Sequence, residues 1–147
     1  MNNRLWQIAH RLYRGGTHPL ARGIEIIYNT LCGNGISAKT EIGRGTVFFH
    51  HGVGCVVHEQ SKIGKNCRIF GNVTIGCKWS GNTQCGLPPT IGNNVLIGAG
   101  AVILGPIHVG DNSIIGANAV VLHDVPENST VAGNPARIVK SGKPLEQ

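Results

Sequence analysis

Branched aliphatic residues recur every six positions along the second half of the chain: Ile91, Ile97, Ile103, Val109, Ile115 and Val121. The same spacing runs through Val57, Ile63, Ile69 and Ile75, and earlier through Ile36, Ile42 and Phe48. Glycine follows the anchor at Gly43, Gly64, Gly76, Gly92, Gly98, Gly110 and Gly116. Four residues after the anchor the side chain is small or aliphatic, as at Thr40, Thr46, Ser61, Cys67, Val73, Val95, Ala101, Ser113 and Ala119. A period of six fits neither an α-helix nor a simple strand meander. It suits a short strand and a tight bend, repeated, with one aliphatic side chain inward per strand and glycine easing the corners. Three hexads close one triangular coil, and stacked coils bury a continuous aliphatic column. The expected fold class is therefore all-β, a parallel β-helix.

Residues before Ile36 follow another period. Leu5, Ile8, Ala9 and Leu12 recur at helical spacing, and Ile24, Ile27 and Leu31 do so after Gly15, Gly16 and Pro19. Two helices, about 3–14 and 19–32, are predicted to cap the open end of the column, since a solenoid needs such a cap. The expected organisation is a helical cap over 1–34, a β-helix over 35–135 and a tail over 136–147.

Function in a repeat protein tends to sit where the repeat is interrupted. One interruption lies in VFFHHGVGCVVHE, where Phe48 and Val57 are separated by more than one hexad. It contains His50 and His51, and His58 follows the next anchor. The other lies between Ile75 and Ile91, where residues 76–90 are rich in Gly, Asn, Ser and Pro and read as a loop leaving the column.

Composition narrows the partners. The chain of 147 residues carries a net charge of +6, which favours anionic ligands. Aromatic residues make up only 5% and the charges are scattered, so a base-stacking nucleic-acid platform is not supported. A phosphate-bearing small molecule fits better. No apolar run of eighteen residues exists and the first residues lack a signal-peptide pattern, so a cytoplasmic protein without a transmembrane segment is expected. The basic first helix, with Trp6 and Tyr13, leaves room for peripheral contact with a membrane surface. Five cysteines without a CxxC pair suggest small buried or loop thiols and no structural zinc.

The motifs IGRG (42–45), HHG (50–52), NVTIG (72–76), TIGNNVLIGAGAVILGPIHVGDNSIIGANAVV (90–121) and AGNPARIVK (132–140) together resemble the hexapeptide-repeat acyltransferases. The resemblance is greatest to their serine O-acetyltransferase branch and the related exopolysaccharide, colanic-acid type, acetyltransferases. It covers about residues 35 to 140. It implies a left-handed β-helix, a homotrimer, and acetyl-CoA lying between neighbouring subunits. It also implies direct acetyl transfer to a hydroxyl, without an acyl-enzyme and with no metal required. A histidine is the implied general base. Counting from IGRG puts it at His50; counting back from the next strand puts it at His51. His58 is a third candidate. Thr74 and Gly76, Gly98, Ala99 and Ala117 are the implied contacts of the cofactor's pantetheine arm. Arg137 and Lys140 suit its phosphates.

Departures bear on the acceptor. The branch carries an aspartate just before the histidine and another seven residues before the IGRG isoleucine. Here those positions read Phe49 (or His50) and Gly35, and its Arg-His pair reads Leu87 and Pro88. Those groups grip an amino acid, so either L-serine or a sugar precursor is the expected acceptor. Glu59 matches a family glutamate. Cys55, near the histidines, is a rival nucleophile. The other overall reading is a non-catalytic or metal-binding trimer.

Overall fold

The structure is a computed structural model that describes residues 4–79 and 86–142. Two helices come first, α1 (Arg4–Arg14) and α2 (His18–Cys32). Pro19 occupies the first turn of α2, where a missing N–H costs nothing, and Gly33 ends it in a left-handed conformation. Short strands follow in coils. The first coil holds β1 (Gly35–Ile36), β2 (Glu41–Ile42) and β3 (Val47–Phe48). The second holds β4 (Val56–Val57), β5 (Lys62–Ile63) and β6 (Arg68–Ile69). The third holds β7 (Thr74–Gly76), β8 (Thr90–Ile91) and β9 (Leu96–Ile97), and the fourth β10 (Val102–Leu104), β11 (His108–Val109) and β12 (Ile114–Ile115). β13 (Val120–Val121), β14 (Ser129–Ala132) and β15 (Arg137–Ser141) end the chain's regular structure.

Every third strand pairs in parallel. The first face is β1-β4-β7-β10-β13, the second β2-β5-β8-β11, and the third β3-β6-β9-β12-β14-β15. Anchors lie in register from coil to coil, as in Ile36↔Val57↔Ile75↔Ile103↔Val121. Of the hexad anchors only Ile42 is not fully buried; the rest line the interior with Val125 and Val131. Each such burial contributes roughly 1.5–3 kcal/mol. The small or aliphatic residues four after the anchors are buried as well, apart from Thr46, which is half-buried.

The corners are set by left-handed residues. Gly45, Asn66, Asn94, Asn112 and Asn128 have positive φ at one corner, and Gly54, Asn72, Gly100 and Asn118 at another. Asparagine tolerates this region because its amide bonds locally. At the first of these corners, between the second and third faces, Asn94 Nδ2 donates to Asn112 Oδ1 at 3.1 Å, and Asn112 Nδ2 to Asn128 Oδ1 at 3.2 Å. Where glycine replaces asparagine the reason is space: a Cβ on Gly54 would run into the side-chain amide of Asn72.

The helices close the first coil's open end through polar contacts. Trp6 Nε1 donates to the Ser37 carbonyl at 3.0 Å, His10 Nδ1 meets the Ala38 carbonyl at 2.8 Å, and the Ala38 N–H donates to Glu25 Oε2 at 2.8 Å. The far end is closed differently. Residues 137–141, read from sequence as part of a tail, form β15 and fold back antiparallel on β14. Reading all five cysteines as thiols fails at Cys77, which is disulfide-bonded; an odd count still leaves room for a bridge. Cys32, Cys55 and Cys67 are free.

Candidate active site

His50 and His51 stand at the corner between β3 and β4, in the helical turn Phe49–Gly52. Both are left-handed, with φ, ψ of 51°, 39° and 60°, 17°. Gly52 continues the run at φ +70. Such conformations cost non-glycine residues about 1–2 kcal/mol each and persist only where the surroundings enforce them. Gly52 is buried against Ile36 and Phe48, and a Cβ there would lie 3.2 Å from Ile36 Cδ1. Main-chain bonds pin the rest: Val53 N–H to the His50 carbonyl at 3.3 Å, and Cys55 N–H to the Gly52 carbonyl at 2.9 Å. Two side chains reach the His51 carbonyl, Tyr28 Oη at 3.1 Å and Asn34 Nδ2 at 2.9 Å. The result is an exposed imidazole pair on a braced main chain. Among the described residues, neither ring has a hydrogen-bond partner.

The same corner of the column carries three of the residues singled out for the cofactor. Gly98, Ala99 and Ala117 lie on successive turns between the third and first faces. The main-chain ladder there runs from Asn72 N–H to the Val53 carbonyl, Gly100 N–H to the Gly71 carbonyl, and Asn118 N–H to the Ala99 carbonyl. Ala99 and Ala117 are exposed. Three coil steps separate Gly54 from Asn118, about 14 Å at the spacing of paired strands. The histidines and the small residues thus share one line, along which an extended ligand arm has room to lie. Gly98 has a further reason to be glycine, since a Cβ there would press on the backbone of Gly116 and Ala117 in the next coil.

Thr74 and Gly76 lie on β7, on the first face beside that line, and both are half-buried. Arg137 and Lys140 sit exposed on β15, at the far end of the column from the histidines. Arg137 Nη1 bonds the Ala136 carbonyl at 2.9 Å. His58 is not brought to the pair. It follows β4 at the next corner, where its Nδ1 accepts the Gln60 N–H at 3.2 Å and caps a turn. Glu59 ion-pairs with Lys39 at 2.9 Å, both half-exposed, and so has a partner other than a histidine. Cys55 is fully buried, its Sγ donating to the Phe70 carbonyl at 3.2 Å, and burial pushes its thiol pKa up. A buried, protonated thiol is a poor nucleophile.

Phe49, which with His50 is one of two candidates for the position matched by resemblance to an aspartate, stacks on Phe70 with ring centroids 4.7 Å apart. The loop read over 76–90 leaves the column after β7 and returns at β8; its middle lies outside the described residues. Among the described residues no group of three His, Cys, Asp or Glu is placed to hold a metal ion. No helix there is long and apolar enough to cross a membrane.

Comparison with known proteins agrees with the repeat architecture. The bacterial transferase hexapeptide family (six repeats) matches residues 88–123. A serine acetyltransferase of Bacillus licheniformis is 42% identical over 142 residues, 96% of this chain and 64% of that protein. One of Staphylococcus xylosus is 44% identical over 133 residues, 90% of this chain and 60% of the other. The chain thus carries the hexapeptide repeat and is serine acetyltransferase-like over nine tenths or more of its own length. It spans less than two thirds of the length of these two relatives. Among solved structures, the Brucella abortus serine acetyltransferase in complex with coenzyme A superposes with a TM-score of 0.86 at 37% identity, covering 97% of this chain and 56% of the other. The soybean enzyme complexed with serine gives 0.82 at 40%, covering 92% and 54%. With this likeness comes the left hand of the β-helix.

Proposed function

We propose that the chain is an acetyl-CoA-dependent O-acetyltransferase acting in the cytoplasm as a homotrimer, with His50 or His51 as general base. The observation that carries this reading is the exposed imidazole pair at the head of a line of small, open corner residues. The base removes the acceptor's hydroxyl proton as its oxygen attacks the thioester carbonyl. The tetrahedral oxyanion then collapses, the carbon–sulfur bond breaks, and the imidazolium returns its proton to the departing thiolate. General-base assistance of this kind contributes about 10²–10⁴-fold. Ala99 and Ala117 leave space for the pantetheine arm, while Arg137 and Lys140 supply positive charge toward the phosphate end.

For the acceptor, the relatives' names favour L-serine. A sugar hydroxyl is favoured by the Phe49–Phe70 stack, which leaves an apolar wall where the amino-acid-gripping carboxylate would stand. The deciding experiment follows free thiol released from acetyl-CoA with L-serine and a panel of sugar acceptors, on wild type, His50→Ala and His51→Ala. Turnover with serine and its loss in one histidine variant is expected for the serine reading. Turnover with a sugar alone moves the protein to the polysaccharide branch. Absence of both turnover and coenzyme A binding would sink the enzyme reading.

A further inference from the structure

Two side chains of the helical cap converge on one main-chain atom of the histidine turn. Tyr28, on α2, points its hydroxyl into the protein and is 3% exposed. Its Oη donates to the His51 carbonyl at 3.1 Å. Asn34, just past the helix, donates to the same oxygen from Nδ2 at 2.9 Å. We propose that Tyr28 and Asn34 are positioning residues that orient the histidine pair through its backbone. The proposal rests on the reading of that pair as the source of the general base.

The physical case is direct. His50 and His51 occupy a backbone region that non-glycine residues leave when nothing restrains them. Among the described residues no side chain holds either imidazole. Ring direction therefore depends on the main chain from which the rings hang. A carbonyl with two donors is a fixed point for that main chain, immediately beside the second left-handed residue. Burial pushes the Tyr28 pKa up to about 12, so its hydroxyl keeps its proton, and its donor role, throughout the neutral range. Placing a group within a fraction of an ångström of its target is what separates efficient from inefficient proton transfer.

The test uses the full chain as Tyr28→Phe, Asn34→Ala and the double variant, beside His50→Ala and His51→Ala. Three quantities are read: melting temperature, kcat and KM for acetyl-CoA with L-serine, and the imidazole carbon-bound proton resonances, assigned from the histidine variants. The expected result is a double variant that still melts cooperatively and loses about tenfold or more in kcat. Its KM for acetyl-CoA stays within about twofold, and the two imidazole signals move toward free-histidine positions. Asn34→Ser, which keeps a donor, should recover part of the loss. Unchanged kcat with unchanged resonances overturns the proposal, and so does a loss that merely tracks the unfolded fraction. If the double variant does not fold, Tyr28→Phe, which retains the packed ring, decides alone by the same readouts. If His50→Ala and His51→Ala both keep full activity, the base assignment fails by itself. The resonances then still judge the positioning: displaced signals sustain it and unmoved signals overturn it.

Discussion

The asparagine corners and the histidine corner use the same unusual backbone to opposite ends. Among the described residues, eight non-glycine positions have positive φ: six asparagines, His50 and His51. The asparagines suit the conformation, and three of them, Asn94, Asn112 and Asn128, join in a side-chain ladder between coils. They are the hinges of a repeat. The histidines suit it less well and make no such bonds, and they occur at a corner with extra residues before the next strand. Strain that is satisfied locally marks architecture. At the histidine corner the main chain is instead held from a neighbouring element, by the bonds of Tyr28 and Asn34 to the His51 carbonyl.

The largest effect that sharpens this contrast comes from making the histidine corner resemble the others. His50→Asn with His51→Asn keeps a tolerated left-handed backbone and removes both imidazoles. Acetyl transfer should fall about 10²–10⁴-fold while the melting temperature holds or rises slightly. A variant with normal turnover would erase the distinction.

Tyr28 provides the next test, in alkali. Its folded-state pKa of about 12 lies above the ordinary value of 10.0. The stabilisation is therefore fully present below pH 10, and is lost as pH rises through 10 toward 12 because the unfolded chain ionises first. Wild type should lose roughly 2–3 kcal/mol over that interval, and Tyr28→Phe should not. Denaturant melts at pH 9 and pH 12 measure the difference.

An asparagine corner should respond in stability alone. Asn112→Ala places alanine in a left-handed conformation and removes both bonds of the ladder. The expected cost is roughly 2 kcal/mol by urea unfolding, with kcat unchanged. The smallest effect is at Asp111, whose carboxylate accepts the Asn93 N–H at 2.7 Å and Asn93 Nδ2 at 3.1 Å, bonds that hold its pKa below the usual value. Its contribution is present above the ordinary carboxylate pKa of 3.8 and is lost as pH falls through the lowered one. Asp111→Asn should flatten the acid limb of a melting-temperature profile by a few degrees at most.

Much of the column was legible because its period is carried by inward side chains, from Ile36 to Val121. The helices at Arg4–Arg14 and His18–Cys32 were legible from their apolar spacing. The asparagine corners were missed although a signal existed: Asn66, Asn72, Asn94, Asn112, Asn118 and Asn128 each fall three residues after a buried Ile or Val. The contact of Tyr28 with His51 had no such signal. It spans 23 positions and joins a helix to an irregular turn, so no repeat predicts it. The fold-back of β15 was hidden too, because its residues are exposed along their whole length and show no alternation.

The capping contacts of Trp6, His10 and Glu25 have a consequence for how the molecule behaves in a crowd. A parallel column ends in a row of unspent main-chain donors and acceptors, a template on which another chain can grow into a fibre. Here the groups of Ser37 and Ala38 are already occupied. The segment that covers this edge also carries Tyr28, so its loss would bare the edge and release the His51 carbonyl together.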